Sequence, residues 1–314
     1  MTSYCDAHIH LFYANEPFFD KNEQYFCVTS CHSKEEFESF GRYSQVASSQ
    51  ATCESGVPPF ANAHCQQAGN FGATYPTAET FPRQNLRFWR DSLKNCLTVF
   101  DPAGRSLPTA YASYGIHPQI VTPSYLKNDF PTELSYLESL LDEKKLIAIG
   151  ECGFDFFTPE FKAAATEQEI VFKEQLRLAQ KYGVPLLFHL RKSIEKIFSY
   201  SGELKKLPSV IFHSFPGTFR EAESLKKHGI NAFFSFGKPI LNGKKSAIEC
   251  VEKLPLQNLL FETDAPYQTL KGEKETLPGD IKKVYQRACE LRKSSLEEMT
   301  ESILENFMRA YFQS

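Results

Sequence analysis

The sequence predicts an α/β fold, a (β/α)8 barrel of the TIM type with an insertion between its second and third strands, and three observations predict it. Short runs rich in Val, Ile, Phe and Tyr alternate with longer segments of helical period, as a parallel sheet needs for its crossovers. Eight such runs occur along the chain. The 314 residues exceed the roughly 250 of an ordinary barrel by on the order of sixty, and one aperiodic segment supplies the surplus.

The first run, Tyr4 to Leu11, alternates so that Asp6, His8 and His10 project to one side and Cys5, Ala7, Ile9 and Leu11 to the other. The second is Gln24 to Thr29. Residues 46 to 83 follow, rich in Ser, Ala, Gly, Pro, Gln and Asn and without clear periodicity. That is too long for an ordinary connection, so it reads as an insertion over one mouth of the barrel, either a lid or recognition surface or inert decoration. Thr109 to Gly115 is the third run, and a helix is expected over Thr132 to Lys144. Leu146 to Gly150 is the fourth, followed by a helix over Thr166 to Lys181. Pro185 to Leu190 and Ser209 to Ser214 are the fifth and sixth. Thr218 and Glu221 then have capping-box spacing, which starts a helix running to His228. Asn231 to Phe236 and Leu259 to Asp264 complete the strands, before a helix over Gly279 to Arg292.

A chain that is 42% hydrophobic and 23% charged buries one large core or two modest ones; we expect a single barrel over residues 1 to 314. A net charge of −3 lacks the positive field of a tight, nonspecific nucleic-acid binder. The basic runs Lys205–Lys206, Lys226–His228 and Lys244–Lys245 read as solvated faces. The first residues lack a basic flank and apolar run, and no stretch approaches the roughly 18 apolar residues of a membrane span, so a cytoplasmic protein is expected. Nine cysteines, an odd number spread over a long chain, suggest reduced thiols. Cys27, Cys31, His32, Cys53, His64 and Cys65 match no regular zinc spacing, and Cys27 falls inside a strand.

The chemistry gathers at strand ends. His8 and His10 close the first run, and Glu151 lies just past the fourth, near two glycines that let the backbone approach a ligand. His189 ends the fifth run with Arg191 on the same face, His213 ends the sixth, and Glu262 and Asp264 end the last. Any one of these could be a core histidine or a capping acid. Active sites of such barrels form at the C-terminal strand ends, and burying so many titratable groups together without a cation would be costly. Metal binding is the expectation.

The segments DAHIH, GIHP, GECGFD, FHLR, FHSF and LLFETDAP, in that order, resemble the TatD family of metal-dependent deoxyribonucleases among the amidohydrolase-like barrels. The resemblance spans nearly the whole chain except about residues 46 to 83. Phe12 stands where the family usually has Asp or Asn, Phe154 where it has Leu, and Ser193 where it has Thr or Ala; none of these removes a ligand.

The resemblance implies two divalent cations, Mg2+ or Mn2+ by family and Zn2+ by the number of histidines. His8, His10 and Asp264 would hold the first, His189 and His213 the second, with Glu151 bridging. It implies a hydrolase of DNA phosphodiester bonds, acting on single strands or 3′ ends as a 3′-5′ exonuclease. Asp264 would serve as general base. His117, after the third strand, would contact phosphate or protonate the leaving group, or be a plain turn histidine. Arg191 would neutralise a phosphate oxygen through its planar fork or pair with Glu195. Glu262 would orient a ligand. The same metals would suit an amidohydrolase or deacylase acting on a carbonyl, and a noncatalytic nucleic-acid-binding scaffold would also retain them.

Overall fold

The structure is a computed structural model and describes residues 2–13, 20, 22–40 and 109–312. Eight parallel strands run in sequence order, each hydrogen-bonded to the next: β1 (Thr2–Ile9), β2 (Glu23–Cys31), β3 (Thr109–Tyr114), β4 (Ala148–Asp155), β5 (Leu186–Arg191), β6 (Val210–Phe212), β7 (Ala232–Phe236) and β8 (Leu259–Phe261). The first and last strands meet beyond their ends, where the Asp264 N–H donates to the His8 carbonyl at 3.0 Å and the His10 N–H to the Ala265 carbonyl at 2.9 Å. Helices α1 (Phe130–Asp142), α2 (Ala165–Tyr182), α3 (Phe219–Lys227), α4 (Lys245–Lys253), α5 (Ile281–Arg292) and α6 (Leu296–Tyr311) pack around the sheet. The expected barrel is therefore observed, with β2 ending at Cys31 and β3 beginning at Thr109. The segment from 46 to 83, with Cys53, His64 and Cys65, lies outside the described residues.

Strand alternation determines which side chains reach the mouth. Phe188, Phe212 and Phe234 are register partners on β5, β6 and β7. Their rings stack at centroid separations of 5.7 and 5.5 Å, and Phe188 also meets Phe172 of α2 at 5.1 Å. This aromatic ladder therefore fills the layer between strands and helices, and each buried ring contributes roughly 1.5–3 kcal/mol. With the phenylalanines turned outward, the next residues, His189 and His213, turn inward. The same period on β4 aligns Glu151, Gly153 and Asp155. Gly153 has φ +136°, and a Cβ there would run into the His189 carbonyl oxygen, so only glycine lets β4 and β5 approach as closely as they do.

Several boundaries differ from the sequence reading. β4 does not stop before Glu151 but continues to Asp155, because a register irregularity between Ile149 and Cys152 absorbs the GEC segment without ending the pairing. β2 runs two residues beyond Thr29 to Cys31, which brings His32 to the rim. β6 and β8 are only three residues long, since the chain leaves the ladder to carry His213, Glu262 and Asp264 into the mouth. The Thr218–Glu221 capping box is present. α5 begins at Ile281, after a short 3-10 turn over Pro278–Asp280. The described cysteines Cys5, Cys27, Cys31, Cys152, Cys250 and Cys289 are free thiols. Among the described residues no helix is long and apolar enough to cross a membrane.

Candidate metal centre

Glu151 lies at the centre of the mouth, 2% exposed, and its two carboxylate oxygens face different partners. Oε1 stands 3.3 Å from His8 Nε2, 3.4 Å from His10 Nε2 and 3.0 Å from His32 Nε2. Oε2 stands 2.8 Å from His213 Nε2, 3.2 Å from His189 Nδ1 and 3.8 Å from His117 Nε2. Asp264 joins the first set, its Oδ1 being 3.2 Å from His8 Nε2 and 3.4 Å from His10 Nε2. The structure thus brings together His8, His10, Glu151, His189, His213 and Asp264, drawn from or beyond the ends of five strands, with His117 beside them.

Hydrogen bonds on the far side of each ligand orient it. Ser30 Oγ lies 3.0 Å from His8 Nδ1 and 3.0 Å from Ser113 Oγ, which turns His8 Nε2 toward the centre. The Gln268 amide donates to Asp264 Oδ2 at 2.7 Å, leaving Oδ1 to the histidines. Asp264 adopts the left-handed region at φ +55°, a strained conformation for a non-glycine residue and one that recurs at functional sites. Asp6, expected to point with His8 and His10, sits deeper. It accepts from the Thr263 N–H at 3.0 Å, the Thr263 hydroxyl at 2.6 Å and the Tyr25 hydroxyl at 2.7 Å, so it ties β1 to the segment carrying Asp264. Burial pushes its pKa up to about 7. Glu262 Oε1 accepts from the Ser214 N–H at 2.7 Å and lies 3.6 Å from His213 Nδ1, a position from which it braces His213.

Two residues that the sequence did not assign to this cluster stand in it: His32, weighed there only within an irregular zinc pattern, and Asp155. His32 contacts Glu151 because β2 is longer than its apolar run suggested; the signal was a histidine immediately after a strand that continues to Cys31. Asp155 Oδ2 lies 3.1 Å from His189 Nε2 and accepts from the Gln119 amide at 2.8 Å. Its signal was strand period, four residues beyond Glu151 on the same face. Arg191 does not pair with Glu195. Its guanidinium lies 3.8 Å from Asp155 Oδ2 and over the Phe157 ring at 3.9 Å, because β5 delivers it directly beside the end of β4.

The electrostatics suit cations. Burial favours the neutral form of Glu151, but His8, His213 and His189 outweigh it and hold the carboxyl well below its usual range. Asp264 is lowered in the same way, against burial, by His10 and His8. Burial, followed by repulsion from His189, lowers His117 well below an ordinary histidine. Its Nδ1 accepts from the Gln119 N–H at 3.3 Å, so the neutral ring presents Nε2–H to the cavity. His8 Nε2 and His32 Nε2, which face Glu151, are buried without hydrogen-bonding partners. Four groupings of ligand atoms converge within 4.8 Å among the described residues, namely His8–His10–Asp264, His8–Glu151–His213, His10–His32–Glu151 and His117–Glu151–His189. Imidazole nitrogens deprived of hydrogen bonds beside ionised carboxylates fit a divalent cation.

The family model described as TatD related DNase matches residues 5–312. The uncharacterized metal-dependent hydrolase YjjV of Escherichia coli is 30% identical over 203 residues, covering 62% of this chain and 74% of that protein. The 3'-5' ssDNA/RNA exonuclease TatD of Escherichia coli is 33% identical over 171 residues, and the match spans 52% of this chain and 60% of the exonuclease. The crystal structure of YjjV superposes with a TM-score of 0.61 at 23% identity over 98% of this chain and 97% of that one, which shows the shared fold. With a family match over nearly its full length and a barrel whose strand ends gather histidines and carboxylates around Glu151, this chain belongs to the TatD related DNase family of metal-dependent hydrolases.

Proposed function

We propose that the chain is a deoxyribonuclease that removes nucleotides from the 3′ end of DNA with the help of two divalent cations. The observation that carries the reading is the division of Glu151: Oε1 faces His8 and His10, with Asp264 beside them, while Oε2 faces His189 and His213. On this reading His8, His10 and Asp264 would hold one cation and His189 and His213 the other, with Glu151 available to both. Mg2+ or Mn2+ is the expected metal, with Zn2+ the alternative that so many imidazoles would accept. The name of the Escherichia coli exonuclease supports a nucleic-acid substrate and 3′-5′ polarity. Residues 46 to 83 are assigned as an insertion in a single hydrolase barrel.

Divalent cations, when bound, lower the pKa of an attacking water and offset the charge that builds on a phosphodiester. Asp264, kept ionised by its neighbours, would accept a proton from the attacking water as its oxygen bonds to phosphorus and the bond from phosphorus to the departing oxygen breaks. Neutral His117, with Nε2–H facing the cavity, donates a hydrogen bond to a phosphate oxygen or to the departing oxygen. Arg191, held by Asp155 and Phe157, presents guanidinium N–H groups to a nonbridging oxygen.

The deciding experiment measures nucleotide release from 3′-labelled single-stranded DNA with Mg2+, Mn2+ or Zn2+, for the wild type and Asp264→Asn. Mononucleotides from the labelled end, lost in the variant, are the expected result. Equal rates in both proteins would remove Asp264 as the base. Turnover of lactones or aminoacyl esters in place of DNA would move the reading to carbonyl chemistry.

A further inference from the structure

The described residues contain four large aromatic side chains that are exposed, and all four stand on the rim of the mouth. Phe12 is 43% exposed, Tyr13 48%, Phe157 48% and Tyr267 52%. The other described aromatic rings are buried wholly or in part. Phe12 and Tyr13 follow the end of β1, Tyr267 follows β8, and Phe157 follows β4. Strands β8 and β1 are neighbours, and β4 lies opposite β8 in an eight-membered ring. The rings therefore form two groups on opposing sides of the carboxylate and imidazole cluster. Exposed apolar rings of this size, collected at a polar centre, mark a binding surface.

Each group is fixed by contacts to its neighbours. Tyr267 packs edge-on against the His10 ring at 5.1 Å, and its N–H donates to the Asp264 carbonyl at 2.7 Å. The loop that carries it is pinned by Lys238, a fully buried side chain 2.5 Å from Glu273 and 2.7 Å from Asp280. Phe12 and Tyr13 pack edge to face at 4.9 Å, and the Tyr13 hydroxyl is fixed by Glu36 at 2.8 Å. On the opposite rim Phe157 carries the Arg191 guanidinium at 3.9 Å and the Lys192 ammonium at 4.5 Å. An aromatic ring with two cations beside it offers a base a stacking partner and a phosphate its counter-charges in one place.

We propose that these two rims form a base-stacking clamp, with Tyr267 and the Phe12–Tyr13 pair taking the nucleobase on one side of the scissile phosphate and Phe157 with Arg191 the base on the other. This rests on the phosphodiesterase reading and narrows its substrate to single-stranded nucleic acid with unstacked bases. Paired bases in a duplex already stack on one another and cannot splay onto opposing rims. Ring faces accept every base, so the clamp confers strand-state selectivity and little sequence preference. Phe12, which occupies a position where a short polar residue would add no stacking face, belongs to this surface.

The test uses the full chain with Tyr267→Ala, Tyr267→Phe and Phe157→Ala variants, and a fluorescent single-stranded oligomer either intact or carrying abasic residues at its two 3′-terminal positions. Affinity is read by anisotropy with Ca2+ present, and KM and kcat separately with Mn2+. The clamp requires the wild type to prefer the intact oligomer by about tenfold or more. Tyr267→Ala and Phe157→Ala should each lose most of that preference, chiefly in affinity and KM, while Tyr267→Phe retains it. Equal affinity of the wild type for intact and abasic oligomers, or equal losses by the alanine variants on both, would overturn the clamp. Absence of turnover with a preserved binding contrast would refute the phosphodiesterase reading while supporting the clamp, so the two fail separately.

Discussion

Replacing Glu151 by glutamine should lower the affinity for Mn2+ by about a thousandfold. The magnitude follows from geometry: five imidazole nitrogens lie 2.8–3.4 Å from the two oxygens of Glu151, so any cation they share is about as close to the carboxylate. A unit charge pair at roughly 4 Å in a medium of effective dielectric 20 is worth ~4 kcal/mol, and ~1.4 kcal/mol is a decade of affinity. Three decades is the consequence for a single unit of charge. A second charge on the cation adds attraction, and its desolvation takes some back. Isothermal titration with MnCl2, with electron paramagnetic resonance to count bound ions, measures the effect. Circular dichroism of the metal-free variant confirms that the barrel persists, and Glu151→Asp, shorter by one methylene, tests whether one set of ligands can be served without the other. Wild-type affinity and stoichiometry in Glu151→Gln would refute the idea that the cluster is organised around this carboxylate.

Asp155→Asn should cost roughly 10–100-fold in metal affinity or kcat/KM, the usual effect of removing a carboxylate that orients a ligating histidine; unchanged values would show that His189 needs no such brace. Phe212→Ala, in the fully buried aromatic ladder, should destabilise the protein by about 3–5 kcal/mol in urea unfolding, and a loss below ~1 kcal/mol would contradict the ladder's place in the core. Glu169 accepts from Lys196 Nζ at 2.6 Å and from the Tyr200 hydroxyl, and these partners hold its pKa down to about 2. Its contribution is present above its ordinary pKa of about 4.3 and lost as pH falls through about 2. Discounted for partial exposure, the stability gap between wild type and Glu169→Gln should be about 1 kcal/mol at pH 7 and smaller at pH 3; a gap independent of pH would exclude the linkage.

By itself the sequence determined the barrel and singled out most of the side chains that meet at its mouth. Alternation of strand runs with helical segments is local, and so is the parity that sends His189 and His213 inward while Phe188 and Phe212 face the helices. The Thr218–Glu221 cap is equally local. What only the tertiary structure decided depends on pairing between distant segments. Hydrogen bonding to β3 carries β2 on to Cys31, past its apolar run, and places His32 against Glu151. The irregular register between β4 and β5 keeps Glu151 and Asp155 in one strand, which turns a loop acid into the hub of six histidines and gives His189 a carboxylate partner. Arg191 lies nearer in sequence to Glu195, but register sets it beside Asp155 and Phe157. The division of Glu151's two oxygens between opposite sides of the mouth, and the placing of exposed rings from the ends of β1, β4 and β8 on opposing sides of it, arise only when the sheet closes. No periodicity along a single strand encodes which side chains will face one another across a barrel.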